Sequence, residues 1–73
     1  MDIVLKIKEI IKKEFDKDVK AIYRFDDNYY VVVDDFLNSM LYLINMELET
    51  CEGFVFIDSD LGNKIIDPDN EIY

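Results

Sequence analysis

The chain has 73 residues, of which 51% are apolar and 14% aromatic, so it suits one small globular domain and is too apolar for a disordered protein. A single cysteine excludes an internal disulfide, and the lack of histidine removes the commonest general base and zinc ligand. The net charge of −9 argues against direct binding to nucleic acid. We therefore expect one acidic domain over residues 1–73.

Residues 2–15 are predicted to form a helix, with Asp2 as its N-cap. Apolar side chains recur there at the spacing of one helical face: Ile3, Ile7, Ile10, Ile11 and Phe15. This face should cover part of the core.

The segments 19–25 and 29–33 are rich in β-branched and aromatic residues, which favours two strands. Residues 26–28 between them predict a hairpin turn, in which Asn28 is the residue best suited to a left-handed conformation. One strand face should meet the core. The other carries Tyr30, which is either an exposed anchor for a partner or is covered by a second helix.

Residues 36–51 fit two structures. As a helix, they place Leu37, Met40, Leu41, Ile44, Leu48 and Cys51 on one face, and the length of this pattern favours the helix. As a strand, residues 42–49 alternate and 50–53 form a turn. The helix implies a crossover to a third strand parallel to the second, whereas the strand implies an antiparallel meander.

The C-terminal third predicts a strand over 54–58, a loop over 58–63 and a short last strand over 64–66. Pro68 should end regular structure, and the residues after it should form a solvated acidic tail. The predicted fold class is α+β, with a small sheet of three to four strands packed against the N-terminal helix and a second helix.

Little in the chain points to catalysis. Cys51 has no histidine to activate it, and we expect it to be a buried, inert thiol. Asp58 and Asp60 begin a loop that departs from the calcium-binding pattern, since its glycine is displaced by one position and the final glutamate is missing. We expect no enzymatic activity, no cofactor and no metal.

Charge is unevenly placed along the chain. Residues 1–24 hold seven bases and five acids, a net charge of +2, whereas residues 25–73 hold one base and twelve acids, a net charge of −11. Spaced carboxylates can imitate the phosphates of a nucleic-acid duplex, and an acidic surface suits a basic partner. The predicted contact residues are Asp26, Asp27, Tyr30, Asp34, Asp35, Glu47, Glu49, Glu52, Asp58 and Asp60.

In size, acidity and lack of catalytic residues the chain resembles small phage or mobile-element inhibitors and nuclease immunity proteins. The resemblance rests on no motif and assigns no residues. It implies an inhibitor or adaptor, of the anti-defence, DNA-mimic or immunity type, that binds a nuclease or another basic, nucleic-acid-binding protein. The alternative is a structural protein that uses its apolar surface as a subunit interface, as in a homodimer.

The chain also shows no sign of membrane insertion. Its longest uncharged run, residues 36–46, has 11 residues, whereas a membrane-spanning helix needs about 20. We expect a cytoplasmic protein with no membrane partner.

Overall fold

The computed structural model describes residues 2–35 and 39–73 and confirms the predicted α+β fold. Its elements, in chain order, are α1 (Ile3–Phe15), β1 (Val19–Phe25), β2 (Asn28–Val33), β3 (Met40–Asn45), β4 (Thr50–Phe56), α2 (Asp60–Ile65) and a single 3₁₀ turn (Pro68–Asn70). The four strands form one antiparallel sheet in the order β1-β2-β3-β4.

The predicted N-terminal helix is confirmed as α1. Asp2 caps it, because its side-chain oxygen accepts a hydrogen bond of 3.2 Å from the Leu5 amide. The helix ends at Asp16, which adopts a left-handed conformation with φ 53°. The apolar stripe packs on the sheet and buries Ile7, Ile10 and Ile11.

The first hairpin is also confirmed, but its turn is shorter than expected. Phe25 pairs with Asn28, so Asp26 and Asp27 alone form the turn, with φ of 51° and 62°. Two consecutive positive φ values are typical of a type I′ hairpin turn. The expectation that Asn28 takes the left-handed conformation is therefore wrong, since Asn28 begins β2.

The favoured helix over 36–51 is wrong for its described part, and the strand alternative is correct. Residues 36–38, including Leu37, lie outside the described residues; from Met40 onward the chain forms β3. The turn occupies residues 46–49 rather than 50–53, because Asn45 Oδ1 accepts hydrogen bonds of 2.9 Å from the amides of Glu47 and Leu48. As a result, β4 begins at Thr50, four residues earlier than the strand predicted over 54–58.

Both faces of the sheet carry apolar clusters. On one face α1 covers a cluster that includes Ile22, Val31, Val33 and Ile44. On the opposite face Ile65 of α2 packs in a second cluster, with Tyr30, Val32 and Leu41. The middle of the sheet is therefore enclosed between two helices.

The helix α2 replaces the loop and the short strand predicted over 58–66. Its N-cap is Ser59, whose hydroxyl accepts a hydrogen bond of 3.0 Å from the Gly62 amide. Gly62 is buried against the end of β4, and an added Cβ would lie 2.1 Å from the Phe56 carbonyl oxygen. This packing depends on tertiary contact, so no local pattern in the sequence revealed it.

The acidic tail is docked against β1, which corrects the expectation of a solvated tail. The Ile72 amide donates to the Ile22 carbonyl at 2.9 Å, and the Ile22 amide donates to the Tyr73 carbonyl at 3.3 Å. Lys8 Nζ lies 4.0 Å from the centre of the Tyr73 ring. The tail thereby pairs with the outer edge of β1.

Candidate interaction surface

The antiparallel sheet gathers the predicted acidic residues at its two ends. We call the first the hairpin end, where the β1–β2 and β3–β4 turns lie side by side because Tyr29 pairs with Ile44. Its acids are all exposed: Asp26, Asp27, Glu47, Glu49 and Glu52. Residues far apart in the chain therefore form one anionic rim.

The second group lies at the opposite end of the sheet, which we call the loop end. Its predicted acids are Asp34, Asp35, Asp58 and Asp60, of which Asp35 is half-buried and the others are exposed. The Ile57 amide donates to the Ser39 carbonyl at 3.0 Å, which holds the end of β4 beside the start of β3. The loop end also receives Asp18, whose carbonyl accepts a hydrogen bond of 2.8 Å from the Asp34 amide.

The fold brings bases of residues 1–24 close to acids of residues 25–73. Lys6 on α1 lies 2.8 Å from Glu49, and Arg24 lies 3.2 Å from Asp27. Lys6 is half-buried and the other three side chains are more exposed, so each pair makes only a small contribution to stability. They nevertheless show that bases of the first 24 residues approach the hairpin end, so the anionic surface is less uniform than the sequence alone predicted.

Lys6 also affects the titration of Glu49. The hydrogen bond from Lys6, together with its positive charge, lowers the pKa of the Glu49 carboxyl below its usual value. Glu49 is the last residue of the β3–β4 turn and has φ 55°, a left-handed conformation that is unfavourable for a glutamate. The ion pair therefore joins the β3–β4 turn to the first half of α1.

A shallow groove opens between the two turns of the hairpin end. Its acidic wall contains Asp27, Glu47 and Glu52, and its apolar floor contains Tyr29 and Ile44. Glu52 is held in place by Asn45, whose amide nitrogen lies 2.7 Å from Glu52 Oε1. This arrangement suits the alkyl stem and charged head of a lysine or arginine side chain.

Tyr30 is not at the surface. It is only 6% exposed and belongs to the cluster beneath α2, so a second helix covers the face on which an anchor had been predicted. The physical reason is that β2 lies inside the sheet, between β1 and β3, with a helix on each side. Tyr30 contributes to the core instead of offering a contact to a partner.

Cys51 is half-buried on the face covered by α1. Burial is the main cause that raises the pKa of its thiol, and the thiol lies 3.5 Å from the Gly53 carbonyl. A raised pKa leaves little thiolate at neutral pH, and the thiolate is the reactive form.

A group of apolar side chains that was not predicted from the sequence is exposed at the β4 edge of the sheet. Phe54 and Phe56 on β4 are 54% and 56% exposed, and their rings form an edge-to-face pair with centres 5.2 Å apart. Leu48, in the adjacent turn, is 68% exposed. The alternation of residues 54–57 indicated a strand, but it could not show that α1 leaves the second half of β4 uncovered.

Within residues 2–35 and 39–73, no three Cys, Asp or Glu side chains are grouped closely enough to hold a metal ion. In the same part of the chain, no helix has the length and apolarity needed to cross a bilayer.

Comparisons of the chain with protein-family models, with curated proteins and with solved structures found no match. The arrangement of the chain's own residues is therefore the basis for the function proposed below.

Proposed function

We propose that the chain is a non-enzymatic interaction module that binds a basic, nucleic-acid-binding protein, such as a nuclease, as an inhibitor or adaptor. One observation carries the proposal: nine of the twelve acids of residues 25–73 lie in two groups, one at each end of the four-stranded sheet, and all of them except Asp35 are exposed. Two separated anionic groups on one scaffold match a cleft that normally holds two stretches of phosphate backbone.

The two ends of the sheet differ in the contacts that they offer to a partner. The hairpin end combines carboxylates with an apolar groove floor, which provides directed contacts for a basic side chain. The loop end has four exposed aspartates, Asp18, Asp34, Asp58 and Asp60, and contributes mainly long-range attraction. We expect the hairpin end to set the lifetime of the complex and both ends to speed its formation.

The test is capture of a partner from host lysate, followed by association kinetics at low and physiological salt. Reversal of charge at Asp26 and Asp27 should slow association, and the wild-type rate should fall steeply as salt is added. A matched control reverses Glu9 and Glu71, which are exposed, belong to neither acidic group and change the net charge equally. If this control slows association as much as the hairpin-end variant, the two-end surface is not the binding site.

A second candidate function is a structural protein that assembles through an apolar interface. The exposed Phe54, Phe56 and Leu48 favour it, because a small chain often gains stability by covering such a patch in an oligomer. Light scattering separates the two functions: a dimeric mass for the chain alone supports assembly, whereas a monomer that joins a basic protein supports the first proposal.

A further inference from the structure

The two edges of the sheet are treated differently by the fold. The β1 edge is closed, because residues 71–73 lie along it and exchange two backbone hydrogen bonds with Ile22. At the other edge, β4 pairs with β3 on its inner side, and no described residue forms a strand on its outer side. An unpaired strand edge is a template for another extended chain.

The register of β4 shows which backbone groups face outward. The Ile57 amide donates to the Ser39 carbonyl, so in the stretch 53–57 the odd-numbered residues bond to β3. The backbone groups of Phe54 and Phe56 therefore point away from the sheet. The Phe56 carbonyl is used by Ser59, which leaves the Phe56 amide and both backbone groups of Phe54 directed toward an incoming strand.

The side chains at this edge also suit an incoming strand. Phe54 and Phe56 lie on the same face and are more than half exposed, so an added strand would cover their rings with every second side chain. The strand lacks the lysine or proline that commonly protects free edges, and its only charged residue is Glu52, at the bulge.

The charges beside β4 indicate which kind of segment would pair with its outer edge. The acids of the hairpin end flank one end of the open stretch at Glu52, and Asp58 and Asp60 flank the other end. Glu52 and Asp58 are separated by six residues, or about 20 Å of extended chain. A second copy of β4 would place acid against acid at these positions, whereas a strand with basic residues at both ends would pair with them.

We propose that the outer edge of β4 binds an extended segment of the partner, with apolar side chains alternating in its middle and lysine or arginine at each end. This inference rests on the proposed function, and it specifies how the basic partner docks. The partner segment continues the sheet as a fifth strand, with backbone bonds to Phe54 and Phe56 providing affinity and the flanking charges providing specificity.

The test uses a capped peptide, Lys-Lys-Val-Thr-Val-Thr-Lys-Lys, and the full chain. Calorimetry should show binding of this peptide but not of the same peptide with glutamate in place of lysine. A third peptide, with proline in place of both valines, keeps the charge but lacks the amides that would face β4, and it should bind weakly.

Two variants isolate the backbone contact. Phe54→Ala and Phe54→Pro both remove the ring, but only the second removes the outward amide. Because the amide of Phe54 makes no bond to β3, both variants should fold, which thermal melting followed by circular dichroism checks. Phe54→Pro should bind the basic peptide about tenfold more weakly than Phe54→Ala.

The outcomes distinguish this inference from the proposed function. Equal binding by Phe54→Ala and Phe54→Pro overturns the strand-pairing inference, although capture of a basic partner would leave the proposed function standing. A wild-type dimer that Phe54→Pro abolishes also overturns it, since the occupant is then a second copy. Edge binding of the peptide without any charge-sensitive protein partner supports the docking mode and overturns the proposed function.

Discussion

At the scale of single residues, the fold departs from the usual preferences of amino acids for backbone conformation at several positions. Asp16, Asp26, Asp27 and Glu49 adopt positive φ although none of them is glycine. The two glycines have no positive φ, and Gly62 is needed for close approach instead of backbone freedom. Sequence patterns that associate glycine with turns therefore mislead at both kinds of position.

Gly62→Ala should destabilise the protein. The added Cβ would lie 2.1 Å from the Phe56 carbonyl oxygen and 2.6 Å from that of Ile57, and both atoms belong to the backbone. Because α2 must move away from β4, we expect a loss of about 1–3 kcal/mol in the free energy of unfolding. Denaturation in urea measures the loss.

The matched control is Gly53→Ala, because nothing lies within 4 Å of an added Cβ at that position. Both substitutions restrict the unfolded chain equally, so the greater loss of stability at Gly62 reports the contact with the backbone of Phe56 and Ile57. Equal stabilities of the two variants would show that α2 does not pack closely against the end of β4.

Asp27→Gly should stabilise the first hairpin. Asp27 has φ 62° at the second position of a type I′ turn, where glycine carries no steric cost. The substitution loses an exposed contact with Arg24, which contributes little. Relief of the left-handed conformation, about 1–2 kcal/mol, exceeds the entropic cost of glycine, about 0.5–1 kcal/mol, so we expect a net gain of about 0.5–1 kcal/mol, measured by urea denaturation.

Asp27→Ala removes the same carboxylate but keeps a Cβ in the left-handed conformation, so it should be less stable than the wild type. If alanine stabilised the protein as much as glycine, removal of negative charge and not relief of strain would be the cause.

At the scale of elements, local signals predicted α1 and the first hairpin, whereas β3 was ambiguous for a physical reason. Leu41 is fully buried on the α2 face and Ile44 is 4% exposed on the α1 face. A strand covered on both sides loses its alternation of apolar and polar residues, and its spacing can then match a helical face. The pairing of residues 71–73 with β1 was equally inaccessible, because it joins segments about 50 residues apart.

The link between α1 and the β3–β4 turn should be sensitive to acid. Lys6 lowers the pKa of Glu49 in the folded state, so the ion pair stabilises the fold above the unfolded pKa of glutamate. This stabilisation should be lost as the pH falls through the lower, folded pKa. Glu49→Gln should therefore reduce stability at neutral pH and have no effect in strong acid, as measured by urea denaturation across that pH range.

Glu47→Gln is the control, since Glu47 lies in the same turn and its side chain forms no ion pair among the described residues. If the free energy of unfolding depended on pH in the same way for the wild type and for Glu49→Gln, the Lys6 contact would contribute nothing to folding stability.

At the scale of the whole molecule, the sequence predicted the acidity of the surface but not its shape. Asp26 and Asp27 precede the predicted second strand and Asp34 and Asp35 follow it, so the separation of the two pairs follows from the length of that strand. The approach of Glu47 and Glu52 to the first turn depends on the pairing of β2 with β3, which was undetermined while residues 36–51 fitted a helix. Tyr30 shows the same limit, because only the position of α2 decides its burial.

The net charge of −9 is spread over both sheet ends and the docked tail. Repulsion among these carboxylates should destabilise the folded state at low ionic strength, and added salt should weaken this repulsion. Raising sodium chloride from about 0.01 M to about 1 M shortens the screening length from about 30 Å to about 3 Å, so the melting temperature should rise steadily.

Calcium chloride at matched ionic strength should give a similar curve, because the described acids form no group able to hold a metal ion. Differential scanning calorimetry measures both curves. A much larger rise with calcium, removed by Asp58→Asn together with Asp60→Asn, would instead identify a specific calcium site at the loop end.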